Sequence, residues 1–321
     1  MKLNKIGMTE VKVTEIAFGC ASIGNLFREA SDAEAQNVLA AAWDLGIRYF
    51  DTAPHYGRGL SETRLGHFLS AKRRSDYVLS TKVGRVLSAG QPMAAADGFI
   101  NPLPNDVRYD YSGDGIEASL EGSLERLGAT RIEIVFVHDI GTFTHGDQNA
   151  AHLEAFFASG YERLIKLKKR GRIGAFGLGV NENDVCLEVM DYGSIDVILL
   201  AGRLTLLDRS AEERLLPRCR AANTSLVLGG VLNSGILATG PVDGATYNYE
   251  PAPPEVLNRV HRLKAKAAEL DISLPTAALQ YAHRHPQATA ILIGTAKAST
   301  LRKNVSAISA QIPVEFDSVF A

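Results

Sequence analysis

Cysteine is scarce in this chain. Three are present in 321 residues, Cys20, Cys186 and Cys219, and they lie far apart. None shares a metal-ligand spacing with another, and an odd, sparse set suits a reducing compartment better than a disulfide framework. Charge of one sign is also missing. Lys and Arg number 34 against 36 Asp and Glu, a net charge of −2 with no long run of either. That balance offers no footprint for nucleic acid and no attraction to an anionic membrane. Apolar runs such as "VILLA" from Val197 are far too short to span a bilayer. The opening "MKLNKIGMTEVKV" lacks the apolar core of a signal peptide. No proline-rich or low-complexity linker divides the chain. The expectation is a cytoplasmic protein without membrane or nucleic-acid partners. Its apolar content of 46% suffices for a large core.

What is present is alternation. Short apolar runs begin at Ile16, Ile47, Tyr77, Ile132, Ile173, Ile195, Ser225 and Ala290, and segments of helical period separate them. In "SDAEAQNVLAAAWDLG", Ser31 suits an N-cap and Gly46 a stop. Ile116, Leu120, Leu124 and Leu127 recur at helical spacing. "AFFASGYERLIKLKKRG" closes on cations, which the helix dipole favours there. Eight strands alternating with helices match a single (β/α)8 TIM barrel over residues 1–321. The strands read as continuous apolar runs, as parallel strands buried on both faces do. A doubly wound sheet usually carries G-x-G-x-x-G after its first strand, whereas "GCASIGN" stands there. The first residues predict a small hairpin against the barrel bottom. A long polar insertion over 88–112 follows strand three, and loops of that length are commonly lids or disordered.

In such a barrel the chemistry gathers at the C-terminal ends of the strands. Strand two closes on Asp51, with Tyr56 in the loop beyond it. Strand three closes on Lys82 and strand four on His138. Alone, Asp51 reads as a strand-end cap, Lys82 as a solvated lysine, Tyr56 as loop packing and His138 as a satisfied core histidine. Four such groups on three successive strand ends point instead to one site. A phenol of ordinary pKa near 10 trades protons poorly near neutrality. A neighbouring ammonium is expected to lower that pKa, a carboxylate to hold the ammonium, and an imidazole to orient a substrate oxygen. The set suits carbonyl/alcohol interconversion without a metal.

"DTAPHYGRGLSETRLGHFL", "LSTKVGR", "SLERLGATRIEIVFVHD" and "ILIGTAKASTLRKNVSAI" resemble the aldo-keto reductases, in the family's order and over nearly the whole chain. The resemblance implies the same barrel, a catalytic tetrad of Asp51, Tyr56, Lys82 and His138, and a nicotinamide cofactor held without a Rossmann fingerprint. Cofactor positions implied are Gly19, Asn181, Gly230, Leu232, Ser234, Gly294, Thr295, Thr300 and Asn304. Family features depart at Gly179, where a serine is usual, at Ala201, where a glutamine is common, and at Gly229, where an aromatic often stacks. The positions that hold the NADP 2′-phosphate in relatives read Thr300 and Gly294, with Lys297 and Arg302 displaced. A dianion needs charged donors, so the pattern favours NAD, with NADP as the alternative.

"GNLF", "VHDIG" and "LLAGRLTLLD" resemble a subgroup that includes NAD-dependent D-threo-aldose (L-fucose) 1-dehydrogenases and a pyridoxal 4-dehydrogenase. Both act on cyclic hemiacetals. Asn25, Phe27, Tyr109 and Tyr111 are the substrate candidates, with the 88–112 insertion folding over the ligand. A general NADPH-linked carbonyl reductase and a channel-regulatory subunit are the other readings that the family allows. The sequence carries no signature of oligomeric state.

Overall fold

The computed structural model describes residues 1–320. Eight parallel strands close into a barrel: β1 (Ile16–Gly19), β2 (Tyr49–Asp51), β3 (Val78–Val83), β4 (Ile132–His138), β5 (Ile173–Val180), β6 (Val197–Ala201), β7 (Ser225–Gly229) and β8 (Ala288–Ile293). Neighbours pair in chain order, and β8 returns to β1. The apolar runs are explained by their two faces. Val135 and Val137 of β4 pack among the surrounding helices, whereas Ile134 and Phe136 point into the barrel. The hairpin of Leu3–Lys5 with Lys12–Thr14 closes the floor, burying Ile6, Val11 and Val13 against Tyr49, Ile134 and Val197.

The outer helices include α1 (Asp32–Asp44), α2 (Leu60–Leu69), α3 (Gly113–Leu127), α4 (Tyr161–Lys169), α5 (Asp184–Tyr192), α6 (Leu215–Ala222), α7 (Pro254–Glu269), α8 (Leu274–Arg284) and α9 (Ala298–Ser309). Ser31 and Glu34 form a reciprocal capping box on α1. The leucines and isoleucine read on α3 are all buried. The helix expected from residue 155 differs at its start, where Phe156–Gly160 forms a wider π-helical turn before α4. Gly160 there lies so close to the Tyr111 carbonyl that a Cβ would sit 2.2 Å from its oxygen.

The insertion after β3 is ordered. Arg85–Ala89 and Asn105–Tyr109 form an antiparallel ribbon, with a small hairpin of Ala95–Ala96 and Phe99–Ile100 at its tip. Phe27 N donates to Gly98 O at 2.9 Å, and Ile100 N to Asn25 O at 3.0 Å. The tip is thereby tied to the loop after β1. Among the described residues no helix is long and apolar enough to cross a membrane.

Candidate active site

Three adjacent strands and one loop bring the four candidate groups together. Lys82 Nζ donates to Asp51 Oδ2 at 2.7 Å, to Thr52 O at 2.9 Å and to Tyr56 Oη at 2.9 Å. All three ammonium protons are thereby used, and the tyrosine accepts one, leaving its own O–H free to point elsewhere. Ser80 Oγ donates to the other Asp51 oxygen at 2.6 Å. Gly57, next to the tyrosine, has φ +63°, and a Cβ there would lie 2.4 Å from Gly24 O. The glycine lets the Tyr56 loop press against the loop after β1.

Burial opposes the Lys82 charge, but Asp51 and Tyr56 outweigh it and raise its pKa. Burial likewise raises the Asp51 carboxyl against Lys82 and Ser80. Tyr56 corrects the expectation from sequence. Burial pushes its phenol up to about 12, and Lys82 only partly offsets that. Taking a phenolate out of water costs more than one ammonium, already shared with Asp51, returns.

His138 is buried, and burial followed by the charges of Arg85 and Lys82 holds its pKa well below the usual value. Arg85 Nη1 lies 2.8 Å from His138 Nδ1, and Arg85 Nη2 donates to Asp139 Oδ2 at 2.8 Å. Sequence reasoning missed Arg85, although it stands three residues past Lys82 in the quoted "LSTKVGR".

Tyr56, Lys82 and His138 open into a cavity of about 410 Å³. Its other walls come from separate loops: Phe27 after β1, Asp97 and Phe99 from the insertion tip, Asp139, Phe143 and Thr144 after β4, Asn181 after β5, and Tyr249. Tyr249 belongs to a hairpin, Thr246–Tyr247 with Glu250–Pro251, that the sequence did not disclose. Its ring faces Phe27 at 6.4 Å between centroids. Phe99 packs on Tyr56 and edge-on against His55. Burial holds His55 down at about 2, a neutral wall of the cavity.

Of the four substrate candidates only Phe27 lines this cavity. The Asn25 side chain is structural, donating to Ile100 O and accepting from Ala30 N and Arg64 Nη1. Tyr111 lies behind His138, its hydroxyl donating to the His138 carbonyl at 2.7 Å and sitting 2.8 Å from His145 Nε2. Tyr109 is 39% exposed, with its ring against His145 and Arg85. Ladder register explains this. Tyr109 pairs with Arg85 at the root of the ribbon, whereas the tip that folds over the cavity carries Asp97, Gly98 and Phe99.

Gly230, Leu232, Ser234, Gly294 and Asn304 line a second cavity of about 240 Å³ beyond the ends of β7 and β8. Gly19 and Gly294 meet backbone to backbone, since a Cβ on Gly294 would sit 2.8 Å from Gly19 O. Thr295 Oγ1 accepts from Lys297 N, and Thr300 stands one turn before Asn304 on α9. Neither threonine lines the cavity, and Asn181 belongs to the first one. Gly230, Asn233, Ser234 and Gly235 all have positive φ. Within the turn Asn233 N donates to Gly230 O and Gly235 N to Leu232 O, so the donors that could meet the pyrophosphate of a dinucleotide are Val231 N, Leu232 N, Ser234 N and the Ser234 hydroxyl. Gly179 faces the first cavity, where a Cβ would press on the Phe136 Cβ at 3.1 Å and touch the Lys82 stem at 3.5 Å. Packing against Phe136 thus favours glycine where a serine is usual.

Comparison with known proteins agrees with this geometry. The model of the Aldo/keto reductase family matches residues 15–316. The chain is 38% identical to a pyridoxal 4-dehydrogenase of Microbacterium luteolum, covering 97% of this chain and 94% of that one. It is 37% identical to a D-threo-aldose 1-dehydrogenase of a Pseudomonas species, covering 94% and 91%. Among solved structures it is similar to an aldo-keto reductase from Bacillus halodurans in its holo form. The TM-score is 0.76 and the identity 26%, over 100% of this chain and 95% of that one.

Proposed function

This chain belongs to the aldo/keto reductase family and is an oxidoreductase, and we propose that it oxidises a cyclic hemiacetal to its lactone with NAD as acceptor. The observation that carries the reading is Lys82, held between the Asp51 carboxylate and the Tyr56 hydroxyl at the floor of a cavity roofed by loops. Tyr56 takes the proton from the anomeric hydroxyl. Lys82 stabilises the phenolate that must form first, and Asp51 keeps Lys82 charged and aimed. His138 hydrogen-bonds the same substrate oxygen and orients it. Phe27, Phe99 and Tyr249 give the cavity apolar walls, with Phe99 buried and the other two still exposed.

The cofactor half of the proposal rests on the Gly230–Gly235 turn, Gly294 and Asn304 for the dinucleotide, and on Asn181 for the carboxamide. A bound nicotinamide supplies the hydride acceptor for the anomeric hydrogen. NAD is preferred because Thr300 and Gly294 offer no charge to a 2′-phosphate. Arg302 lies outside that cavity, 3.9 Å from Asp44.

The substrate proposed first is a sugar of the D-threo-aldose type, supported by Asp97, Asp139, Thr144 and Asn181 as partners for ring hydroxyls. A second reading, pyridoxal in its hemiacetal form, is favoured by the rings of Phe27, Phe99, Phe143 and Tyr249 around the same cavity. The test is NADH absorbance with NAD or NADP against L-fucose, D-arabinose and pyridoxal, beside Tyr56→Phe. NADH formation with a sugar, lost in the variant, supports the first reading, and turnover of pyridoxal alone supports the second. No turnover in any combination refutes both.

A further inference from the structure

We propose that Ser80 is a positioning residue whose hydroxyl fixes the Asp51 carboxylate, so that the carboxylate meets Lys82 with one oxygen and leaves the ammonium free to reach Tyr56. The inference rests on the reading of Lys82 as the group that steadies the Tyr56 phenolate.

The inward positions of two neighbouring strands carry it. Asp51 of β2 and Ser80 of β3 are direct partners in the parallel ladder. Lys82 lies two residues beyond Ser80 and so on the same face. On its other side Ser80 pairs with Ile134 of β4, whose side chain offers a hydroxyl nothing. A barrel interior is ordinarily filled by branched apolar residues. Ser80 is fully buried there. An alanine would fill the same layer with one atom fewer, so the hydroxyl is explained by its bond and not by its bulk.

The Asp51 carboxylate is also fully buried. Lys82 Nζ donates to its Oδ2 at 2.7 Å and Ser80 Oγ to its Oδ1 at 2.6 Å. The next amide in the chain, Thr52 N, is spent on Ser80 O at 3.0 Å. The other titratable groups around Asp51 do not serve it. Cys20, from the loop after β1, turns its thiol to Phe18 O, and the Tyr49 hydroxyl has no hydrogen-bond partner. The Tyr56 hydroxyl is bound by Lys82. A carboxylate out of water needs a donor on each oxygen. Without Ser80 it either turns both oxygens on the ammonium or takes up a proton. Each response moves or weakens the charge on which Tyr56 depends.

The test reads the carboxylate directly. Carbon-13 NMR of whole protein labelled at the aspartate carboxyl, with Asp51→Asn to assign the resonance, is recorded from pH 6 to 9. Wild type is expected to show an ionised Asp51 throughout. Ser80→Ala is expected to move that resonance and to bring its protonation into the window. Ser80→Cys, close to serine in size with a weaker donor, should give an intermediate shift. A folded Ser80→Ala or Ser80→Cys whose Asp51 signal matches wild type overturns the proposal, as does a wild-type Asp51 that is protonated at pH 7.

In turnover, Ser80→Ala is expected to lower kcat roughly 30-fold, the loss of one charge-assisted hydrogen bond, with KM changed much less. Ser80→Thr, which keeps the hydroxyl, should recover most of the rate. Tyr49→Phe removes a neighbouring buried hydroxyl that has no partner, and should leave the Asp51 signal, kcat and KM unchanged. Equal effects of Tyr49→Phe and Ser80→Ala would assign the result to the polarity of the layer and overturn the proposal. The expected Asp51 signals in a protein that oxidises no hemiacetal would sink the functional reading and leave the placement of Asp51 by Ser80 standing.

Discussion

The two halves of the barrel mouth are built from opposite materials. The ends of β2, β3 and β4 carry Asp51, Lys82 and His138, and Arg85 joins them from the ribbon. The ends of β5 to β8 carry Gly179, Ala201, Gly229 and Gly294 and no charged side chain. One half supplies titratable groups held by one another. The other offers a cavity lined by glycines and small polar side chains, the place proposed for the cofactor. Damage to the first half should therefore appear in the chemical step and in pH dependence, and damage to the second in ligand affinity.

The largest effect expected is from Tyr56→Phe, which removes only the proposed proton acceptor. It should lower kcat for oxidation by roughly 1,000-fold or more while fluorescence titration shows NADH binding unchanged. A loss of binding instead would erase the contrast between the halves. Next comes Lys82→Met, which strands Asp51 without its counter-charge in a buried site. A destabilisation of about 3 kcal/mol is expected in urea unfolding, relieved when Asp51→Asn is added.

The pH profile sharpens the same comparison. Burial raises Tyr56 to about 12, and as the proposed base it works only when deprotonated. Oxidation should therefore rise about tenfold per pH unit across the neutral and alkaline range. His138 is held neutral, so that slope should stay at one, with no second inflection between pH 6 and 7. A steeper fall below pH 7 in stopped-flow single turnovers would contradict the account of the charged half.

Gly230→Val belongs to the other half. Gly230 has φ +58°, and a Cβ would lie 3.0 Å from Gly202 N. A strain of about 1–2 kcal/mol is expected, read as a lower melting temperature and weaker NADH binding, with the pH profile unaltered. Smallest of all is Tyr109→Ala at the exposed root of the ribbon. Its effect should stay within about 0.5 kcal/mol on stability, with KM unchanged, and a large rise in KM would restore Tyr109 as a substrate contact.

The legible parts of this site were local in the chain. Asp51, Lys82 and His138 each end an apolar run, so their place at the barrel mouth follows from strand period alone. The hairpin floor and the cap at Ser31 were readable for the same reason. Tyr109 and Tyr111 were misplaced because nothing local states the register of the insertion ribbon. A tyrosine at its root and a phenylalanine at its tip look alike in one dimension.

The sequence by itself determined the alternation, the barrel and the residues that close its strands, because hydrophobic period and chain punctuation act over a few residues. Tertiary structure alone decided that Phe99 and Tyr249 would roof the cavity, that Arg85 would reach across 53 positions to His138, and that burial would raise Tyr56 rather than Lys82 lower it. Desolvation depends on everything that surrounds a group, and that sum exists only once the chain has closed around it.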